Sequence, residues 1–385
     1  MFVSLRADGS SAVDSGGAMR EKLIHSLRCP RCRAERNLEL AVEERDEREV
    51  RAGSLRCGGC GHRAPVERGV AHLLHDPPER VVREAAGLER MADVMRADGW
   101  DRERVLGLPD AEDQDYWRGQ GRALRMLLER VSPAPGEALL DVGSNTCWAS
   151  NEFARRGLDV VALDIATHEM QGLHTADWWF EADGTYFERV LSTMFDPALA
   201  SAAFDWVFCC EVLHHNSPED LPRTFRELHR VLRPGGTLLV LNEPLRYPTN
   251  RKRDHAAEVA QFEGNEHVYY AHEYLSAARR AGFEVEPIPP ALPFFSGEPL
   301  WLTRDASVLG SAKVFAQQLL RRSRAGRRAF LWWTVRIGPD GNLSMICRKP
   351  SGEAAQRDAR EERVGGGEQR EVEQRQADVT RLAER

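Results

Sequence analysis

Four of the chain's eight cysteines are paired, in LRCPRC and LRCGGC. Cys29, Cys32, Cys57 and Cys60 follow the pattern C-x2-C-x24-C-x2-C. Two residues between cysteines let both thiolates of one turn reach the same ion, and two such turns complete a tetrahedral shell of four sulfurs. The spacing predicts a structural Zn2+ with no coordination position left open for chemistry. Such an ion stabilises a module too small to hold itself together. A second chemical stretch is DVGSNTCWAS, residues 141–150. A strand ending at Asp141 turns through Gly143, Ser144 and Asn145 into a helix, an arrangement that aims backbone N–H groups at a ligand. Roughly twenty residues later VVALDI ends a second strand at Asp164, where a carboxylate can accept both hydroxyls of an adenosine ribose. A third stretch is EVLHH, with Glu211, His214 and His215. An imidazole with an ordinary pKa of about 6.5 suits a general base for a hydroxyl or amine. NEHVYYAHEY adds Glu266, His267 and Tyr269 just before a helix.

The elements that would position these residues follow from periodicity. QDYWRGQGRALRMLLERV has helical spacing, with Leu124, Leu127, Leu128 and Val131 on one side. ALLDVG, DVVALDI, YFERVLSTM, FDWVFCCEV, GTLLVLNEP, FEVEPI and NLSMICRK read as strands. TCWASNEFARRG, PEDLPRTFRELHRVLR and HEYLSAARRAG read as helices, the second stopped by Pro234-Gly235-Gly236. Several strands are apolar without alternation, as in strands buried on both faces of a parallel sheet. Strands alternating with helices predict an α/β, doubly wound domain.

Composition divides the chain further. Residues 1–24 form a small, polar leader expected to be disordered, with Met19 an alternative start. Residues 25–76 hold the paired cysteines, interrupted by the charged hairpin AVEERDEREVRAG. Residues 77–350 form the α/β domain, with an insertion at about 289–341. Residues 351–385 are almost entirely charged or small and are expected to be disordered. In the insertion, Arg321, Arg322, Arg324, Arg327 and Arg328 lie beside Phe330, Trp332 and Trp333. That patch suits stacked bases, an anionic surface, the cap of a pocket, or a plain solvated helix face. The net charge of −7 gives no overall basic footprint. No run of about 18 apolar residues is present, so no membrane span is expected. The N-terminus lacks the apolar core of a secretory signal, so a cytoplasmic protein is expected, in which paired cysteines point to metal before disulfide.

Taken together, LLDVGSNTCWAS, VVALDI, FDWVFCCEVLHH and ELHRVLRPGGTLLVLNEP resemble the class I S-adenosylmethionine-dependent methyltransferases, over about residues 112–288 and 342–349. The resemblance implies a Rossmann-like, seven-stranded sheet that binds S-adenosyl-L-methionine. The family loop is acid-x-Gly-x-Gly-x-Gly. Here Asp141 and Gly143 match, while Asn145 and Cys147 replace the second and third glycines. Asn is the non-glycine residue that best tolerates positive φ. Cys147 is small and is expected in the first helical turn, where the third glycine serves packing. The resemblance further implies that Thr193 and Met194 meet the adenine. It also places Glu211, with the two histidines after it, at the end of the strand that faces the methyl. LRCPRC through APVERGVAHLL resembles the small zinc-ribbon partner subunits of RNA and protein methyltransferases, implying a scaffold or substrate-presenting module rather than a catalyst; its core is expected to be separate from that of the α/β domain.

Three functions stay open on sequence alone. The first is a methyltransferase for a hydroxyl or amine of a metabolite, sugar or lipid-linked acceptor. The second is an rRNA or tRNA base methyltransferase. It is disfavoured by the near-balanced charge of the ribbon and by EVLHH where base N-methylases often carry Asn-Pro-Pro-Tyr. The third is a non-catalytic binding protein with a degenerate Rossmann domain. Nothing in the sequence sets an oligomeric state.

Overall fold

A computed structural model of the chain describes residues 23–111, 114–246, 266–288 and 342–352, with five positions between 323 and 329. The leader to residue 22, the tail from 353 and most of the basic aromatic insertion lie outside the described residues. In chain order the elements are β1 (Leu38–Arg45), β2 (Val50–Cys57), β3 (Arg63–Glu67), β4 (Val70–His72), α1 (Glu79–Ala97), α2 (Arg102–Leu106), α3 (Asp115–Val131), β5 (Ala138–Val142), α4 (Trp148–Arg155), β6 (Asp159–Asp164), α5 (Ala176–Asp183), β7 (Glu188–Leu191), β8 (Phe204–Cys210), α6 (Asp220–Val231), β9 (Leu232–Pro244), α7 (Ala271–Arg280), β10 (Glu284–Ile288) and β11 (Asn342–Arg348). The strand order is β1-β2-β3-β4-β7-β6-β5-β8-β9-β11-β10. The α/β class is as expected. The strand count is not: eleven strands stand where seven were expected, because the four ribbon strands continue the sheet. Among the described residues no helix is long and apolar enough to cross a membrane.

The described residues divide into two compact units. One takes in residues 23–118 and 141–201, the other 119–140, 202–246, 266–288 and 342–352. In the first, β6 is buried at every position after Asp159, which explains its unbroken apolar run. β1 and β2 form the expected charged hairpin, with Leu38 opposite Cys57. Its turn is held by the Asp46 carboxylate, which accepts the N–H groups of Arg48 and Glu49. The stretch around Trp178 and Trp179, absent from the helices and strands read from the sequence, is helix α5.

The ribbon is not a separate module. β4 runs parallel to β7, with Val70 opposite Arg189 and His72 opposite Leu191. Arg189 is fully buried. Its Nη2 donates to both oxygens of Glu49 at 2.7 and 2.8 Å, and its Nη1 to Asp177 at 2.9 Å. Gly69 sits at φ +79°, where a Cβ would fall 2.2 Å from Arg189 Nη2 and 2.3 Å from the Glu49 carboxylate. Only glycine lets the β3–β4 turn close over that ion pair. Arg28 donates to Asp196 and to the Pro197 carbonyl, both at 2.9 Å, and Leu27 bridges Leu199. An edge strand with unpaired N–H and C=O groups is a liability, and β4 covers the β7 edge.

In the second unit α3 buries Leu124, Leu127 and Leu128 as its periodicity predicts. β8 and β9 are parallel, and β11 is antiparallel to both β9 and β10. Helix α6 stops at Val231, ahead of the Pro-Gly-Gly signal, and β9 begins at Leu232 opposite Phe204. Lys349 Nζ explains the earlier stop: it takes the carbonyls of His229 and Leu232 at 2.7 and 2.8 Å, capping the helix end.

Truncating one partner of a buried ion pair leaves an uncompensated charge. Glu49→Ala should therefore lower the stability of the first unit by about 3–5 kcal/mol. Chemical denaturation followed by tryptophan fluorescence measures it, and a loss under about 1 kcal/mol would show that Asp177 alone satisfies Arg189.

Candidate functional site

In the first unit the ends of β5, β6 and β7 bring the sequence-predicted cofactor residues together. Gly143 and Ser144 donate their N–H groups to the Leu163 carbonyl at 2.8 and 3.2 Å, and Ser192 donates to the Asp164 carbonyl at 2.9 Å. Asp164 is buried. Its Oδ2 accepts the Asn145 N–H at 2.8 Å, and its Oδ1 accepts those of Ile165 and Ala166 at 2.7 and 3.0 Å. Burial still pushes the carboxyl up to about 6, against those three bonds. Asp141 accepts the Ser150 hydroxyl at 2.5 Å, and burial raises it to about 7. Thr193 is buried directly after β7, and Met194 follows it, half-buried.

The turn itself has a regular feature. Gly143, Asn145 and Cys147 lie at φ +70°, +44° and +57°. Asn145 is left-handed, as its residue type suggested. Cys147 is left-handed too, and it precedes α4 rather than occupying its first turn. The third glycine position is therefore a backbone requirement, not only a packing one. The Cys147 thiol is fully buried, 3.8 Å from Ser144 Oγ and 3.7 Å from the Asn145 carbonyl. The Asn145 amide donates to Gln171, 26 residues away, at 2.8 Å. Among the described residues Asn145 Oδ1 and the fully buried Thr146 Oγ1 find no hydrogen-bond partner. Orphaned polar atoms beside a left-handed turn fit a polar ligand such as S-adenosylmethionine.

The second unit assembles Glu211, His214, His215 and His267. Glu243, at the end of β9, is fully buried. Its Oε1 accepts the N–H groups of Val212 and Leu213 at 2.9 Å each, and its Oε2 accepts that of His214 at 3.1 Å. The same Oε2 lies 3.1 Å from His214 Nδ1. Burial alone would raise this carboxyl, but the His214 imidazole and the Leu213 and Val212 N–H groups hold it below the usual carboxylate range. His214 is held below the ordinary histidine value by burial and by His215, whose ring centroid is 4.3 Å away. Glu211, at φ +49°, is pushed up to about 8 by burial and by Glu243. His267 donates its N–H to the His214 carbonyl at 2.8 Å. Tyr269 turns inward, its hydroxyl donating to the Asn216 carbonyl at 2.6 Å. From the sequence Glu243, in NEP, is expected to end a strand and to line the acceptor site; its gathering of backbone N–H groups has no sign there.

The four cysteines form a third cluster. Their sulfurs lie within 4.8 Å of one another, with Cys29 to Cys60 at 3.7 Å and Cys32 to Cys57 at 3.6 Å. A tetrahedral ion with sulfurs at about 2.3 Å separates them by about 3.8 Å, so the donor set fits zinc.

Residues 140–240 match the family model described as "Methyltransferase domain". This segment belongs to the class I S-adenosylmethionine-dependent methyltransferases. The methyltransferase domain is similar to the malonyl-[acyl-carrier protein] O-methyltransferase of Serratia marcescens, 37% identical over 113 residues, 29% of this chain and 41% of that protein. It is also similar to a ubiquinone biosynthesis O-methyltransferase of Xanthomonas campestris pv. campestris, 34% identical over 108 residues, 28% of this chain and 43% of that protein. The chain thus spans about two-fifths of the length of these curated relatives. Among solved structures it is similar to the [4+2]-cyclase SpnF, with a TM-score of 0.43, 20% identity and coverage of 64% of this chain and 86% of that one.

The turn geometry of the methyltransferase domain makes a prediction for its two missing glycines. Asn145→Gly should be neutral or mildly stabilising, whereas Asn145→Val should cost about 1–3 kcal/mol, because a β-branched residue is strained at positive φ. Cys147→Gly should stay within about 1 kcal/mol of wild type, relief of left-handed strain offsetting the lost buried thiol. Thermal melting of the three variants checks this, and wild-type stability in Asn145→Val would mean that the turn is not left-handed in solution.

Proposed function

We propose that this chain transfers a methyl group from S-adenosylmethionine to a hydroxyl or amine of a small molecule, with a structural zinc ion in its ribbon. The single observation carrying the reading is the turn with left-handed backbone at Gly143, Asn145 and Cys147, anchored on the buried Asp164. In the proposed roles Asp164 receives the ribose hydroxyls, and Asp141, Gly143, Ser144 and Asn145 shape the turn around the cofactor. Thr193 and Met194 meet the adenine, the latter as a polarizable surface. Glu211 stands at the methyl end, and His214, His215 and His267 serve the acceptor. Bound S-adenosylmethionine supplies a methyl already activated by its sulfonium, so the protein must mainly align the acceptor and take up a proton. The relatives whose names specify malonyl-acyl-carrier protein and ubiquinone biosynthesis support a small or carrier-linked acceptor. Four close but unbonded thiols suit a reducing compartment, supporting a cytoplasmic location.

The raised Asp164 carboxyl supports its role, since hydroxyl donors would relieve an under-solvated charge. Asp164→Ala should weaken S-adenosylmethionine binding about 10–150-fold, the equivalent of about 1.5–3 kcal/mol for hydrogen bonds to a charged group. Because hydroxyls bind the ionised form, wild-type affinity should hold at pH 7.5 and fall as pH drops through about 6. Titration calorimetry at both pH values tests the two expectations. Unchanged affinity in Asp164→Ala would sink the cofactor assignment.

Metal analysis should find about one zinc per chain. Because β4 pairs with β7, Cys57→Ser should destabilise the whole first unit rather than the ribbon alone. Hydrogen exchange reports this: β6 and β7 amides protected as in wild type would show that the ribbon melts independently.

A further inference from the structure

We infer that Gln120 is a specificity-determining residue that donates hydrogen bonds to a neutral carbonyl oxygen on the acceptor molecule. The inference rests on the methyl-transfer reading and adds a substrate class to it. The second unit carries an irregularity between β9 and β11. Leu343 faces Glu243, yet Met345 faces Val240, so Leu241 and Asn242 both stand opposite Ser344. A bulge of this kind re-aims a side chain. Asn242 sits in it at φ +57°, a left-handed conformation that persists only where its surroundings impose it.

Hydrogen-bond polarity passes outward from this backbone. The Asn242 N–H donates to Ser344 Oγ at 3.0 Å. An N–H can only donate, so the Ser344 hydroxyl proton is free to turn to the Asn242 side-chain oxygen, 3.4 Å away. That sets the Asn242 amide with its nitrogen toward Gln120, whose Oε1 accepts it at 2.6 Å. The Cys210 thiol reaches the same Oε1 at 3.6 Å and takes its other lone pair. Gln120, on α3, is only 4% exposed. Its Nε2 has no partner among the described residues and is not sealed from solvent. An amide held in this way offers a ligand donors and nothing else.

The cluster lies beside the residues proposed to serve the acceptor. Cys210 and Asn242 directly precede Glu211 and Glu243, and the Asn342 amide is 3.5 Å from Glu211 Oε1. Donors alone suit an oxygen with lone pairs. The groups that orient Gln120 are uncharged, and Glu243, next to Asn242, is held ionised. A carboxylate brought there meets a like charge, whereas a ketone, ester or amide carbonyl does not. An analogue with a methylene in place of the carbonyl leaves the donor unpaired, and a site built for the hydrogen bond rejects it.

Side-chain amide NMR of the full chain reads the donor directly, with the Gln120 signals assigned by their loss in Gln120→Met. The protein is saturated with S-adenosylhomocysteine and then titrated with acetophenone, ethylbenzene or benzoate. Fragments of this size should bind at about 1–10 mM. Acetophenone should shift the Gln120 signals and bind about 3–10-fold more tightly than either of the others. That preference should vanish in Gln120→Met. Ser344→Ala lets both amides turn over, so the preference should drop there too, although no group touching the fragment has been removed. Undisturbed Gln120 signals, equal binding of acetophenone and ethylbenzene, or tightest binding of benzoate overturns the inference. So does a preference that survives in Gln120→Met or is unchanged in Ser344→Ala. Signals that move with S-adenosylhomocysteine and not with acetophenone would assign the donor to the cofactor and overturn it as well. Failure of wild type to bind S-adenosylhomocysteine removes the methyl-transfer reading instead, and the acetophenone titration then still decides whether Gln120 holds a carbonyl.

Discussion

Asp164 and Glu243 are carboxylates taken out of water, and each is tolerated because backbone N–H groups replace the lost solvent. Each gathers three of them, Asp164 from Asn145, Ile165 and Ala166, and Glu243 from Val212, Leu213 and His214. The loop following a strand is thus shaped by a carboxylate at the end of another strand. That device sets the course of the turn before α4 in one unit and of the 211–216 segment in the other. The two carboxylates differ in what else they meet. Glu243 has an imidazole and stays ionised, whereas Asp164 lies near Glu84 and is pushed upward by burial. A carboxylate left partly under-solvated has capacity for further donors, and one already saturated serves to hold its neighbours.

The second constraint is the β7 edge. Arg189 points its guanidinium into a dry place where Glu49 and Asp177 must both accept it. Replacing such a pair with apolar residues of similar volume is often neutral for stability, so the pair is better understood as fixing geometry. It sets how the β1–β2 hairpin lies on the first unit, and Gly69 has no side chain because that contact leaves no room for one. A ribbon joined in this way stiffens the strand from which Thr193 and Met194 emerge.

Much of the fold was legible because it follows from local rules. The unbroken apolar strands, the C-x2-C pairs and the left-handed Asn145 each need only a few neighbouring residues to be read. What stayed hidden depends on contacts distant in sequence. The pairing of β4 with β7 joins residues more than a hundred positions apart, and no periodicity in VAHLL announces it. Helix α5 was obscured by two tryptophans, which fit a linker or a helix equally well. Cys147 could have been read better, since it shares the alternate spacing of Gly143 and Asn145, and spacing of that kind reports backbone rather than packing. Glu243 could not, since a strand-ending acid gives no sign that it will collect N–H groups from 30 residues upstream.

The second cluster shows how neighbours separate the roles of similar groups. Two glutamates close enough to interact cannot both ionise cheaply in a buried place, so their pKa values move apart. Glu243 keeps the charge because the donors are aimed at it. Glu211, in a left-handed conformation that costs a non-glycine residue about 1–3 kcal/mol, is left protonated at neutral pH. Strain of that size persists only where surrounding structure imposes it. Here the Glu211 N–H is tied to the Leu241 carbonyl at 3.1 Å, and Asn216 is locked to Thr224 and Leu213. The segment is therefore rigid at both ends, with a neutral acid at one and a neutral imidazole three residues later. The Glu243 carboxylate lies behind them, so a proton arriving at the imidazole is stabilised.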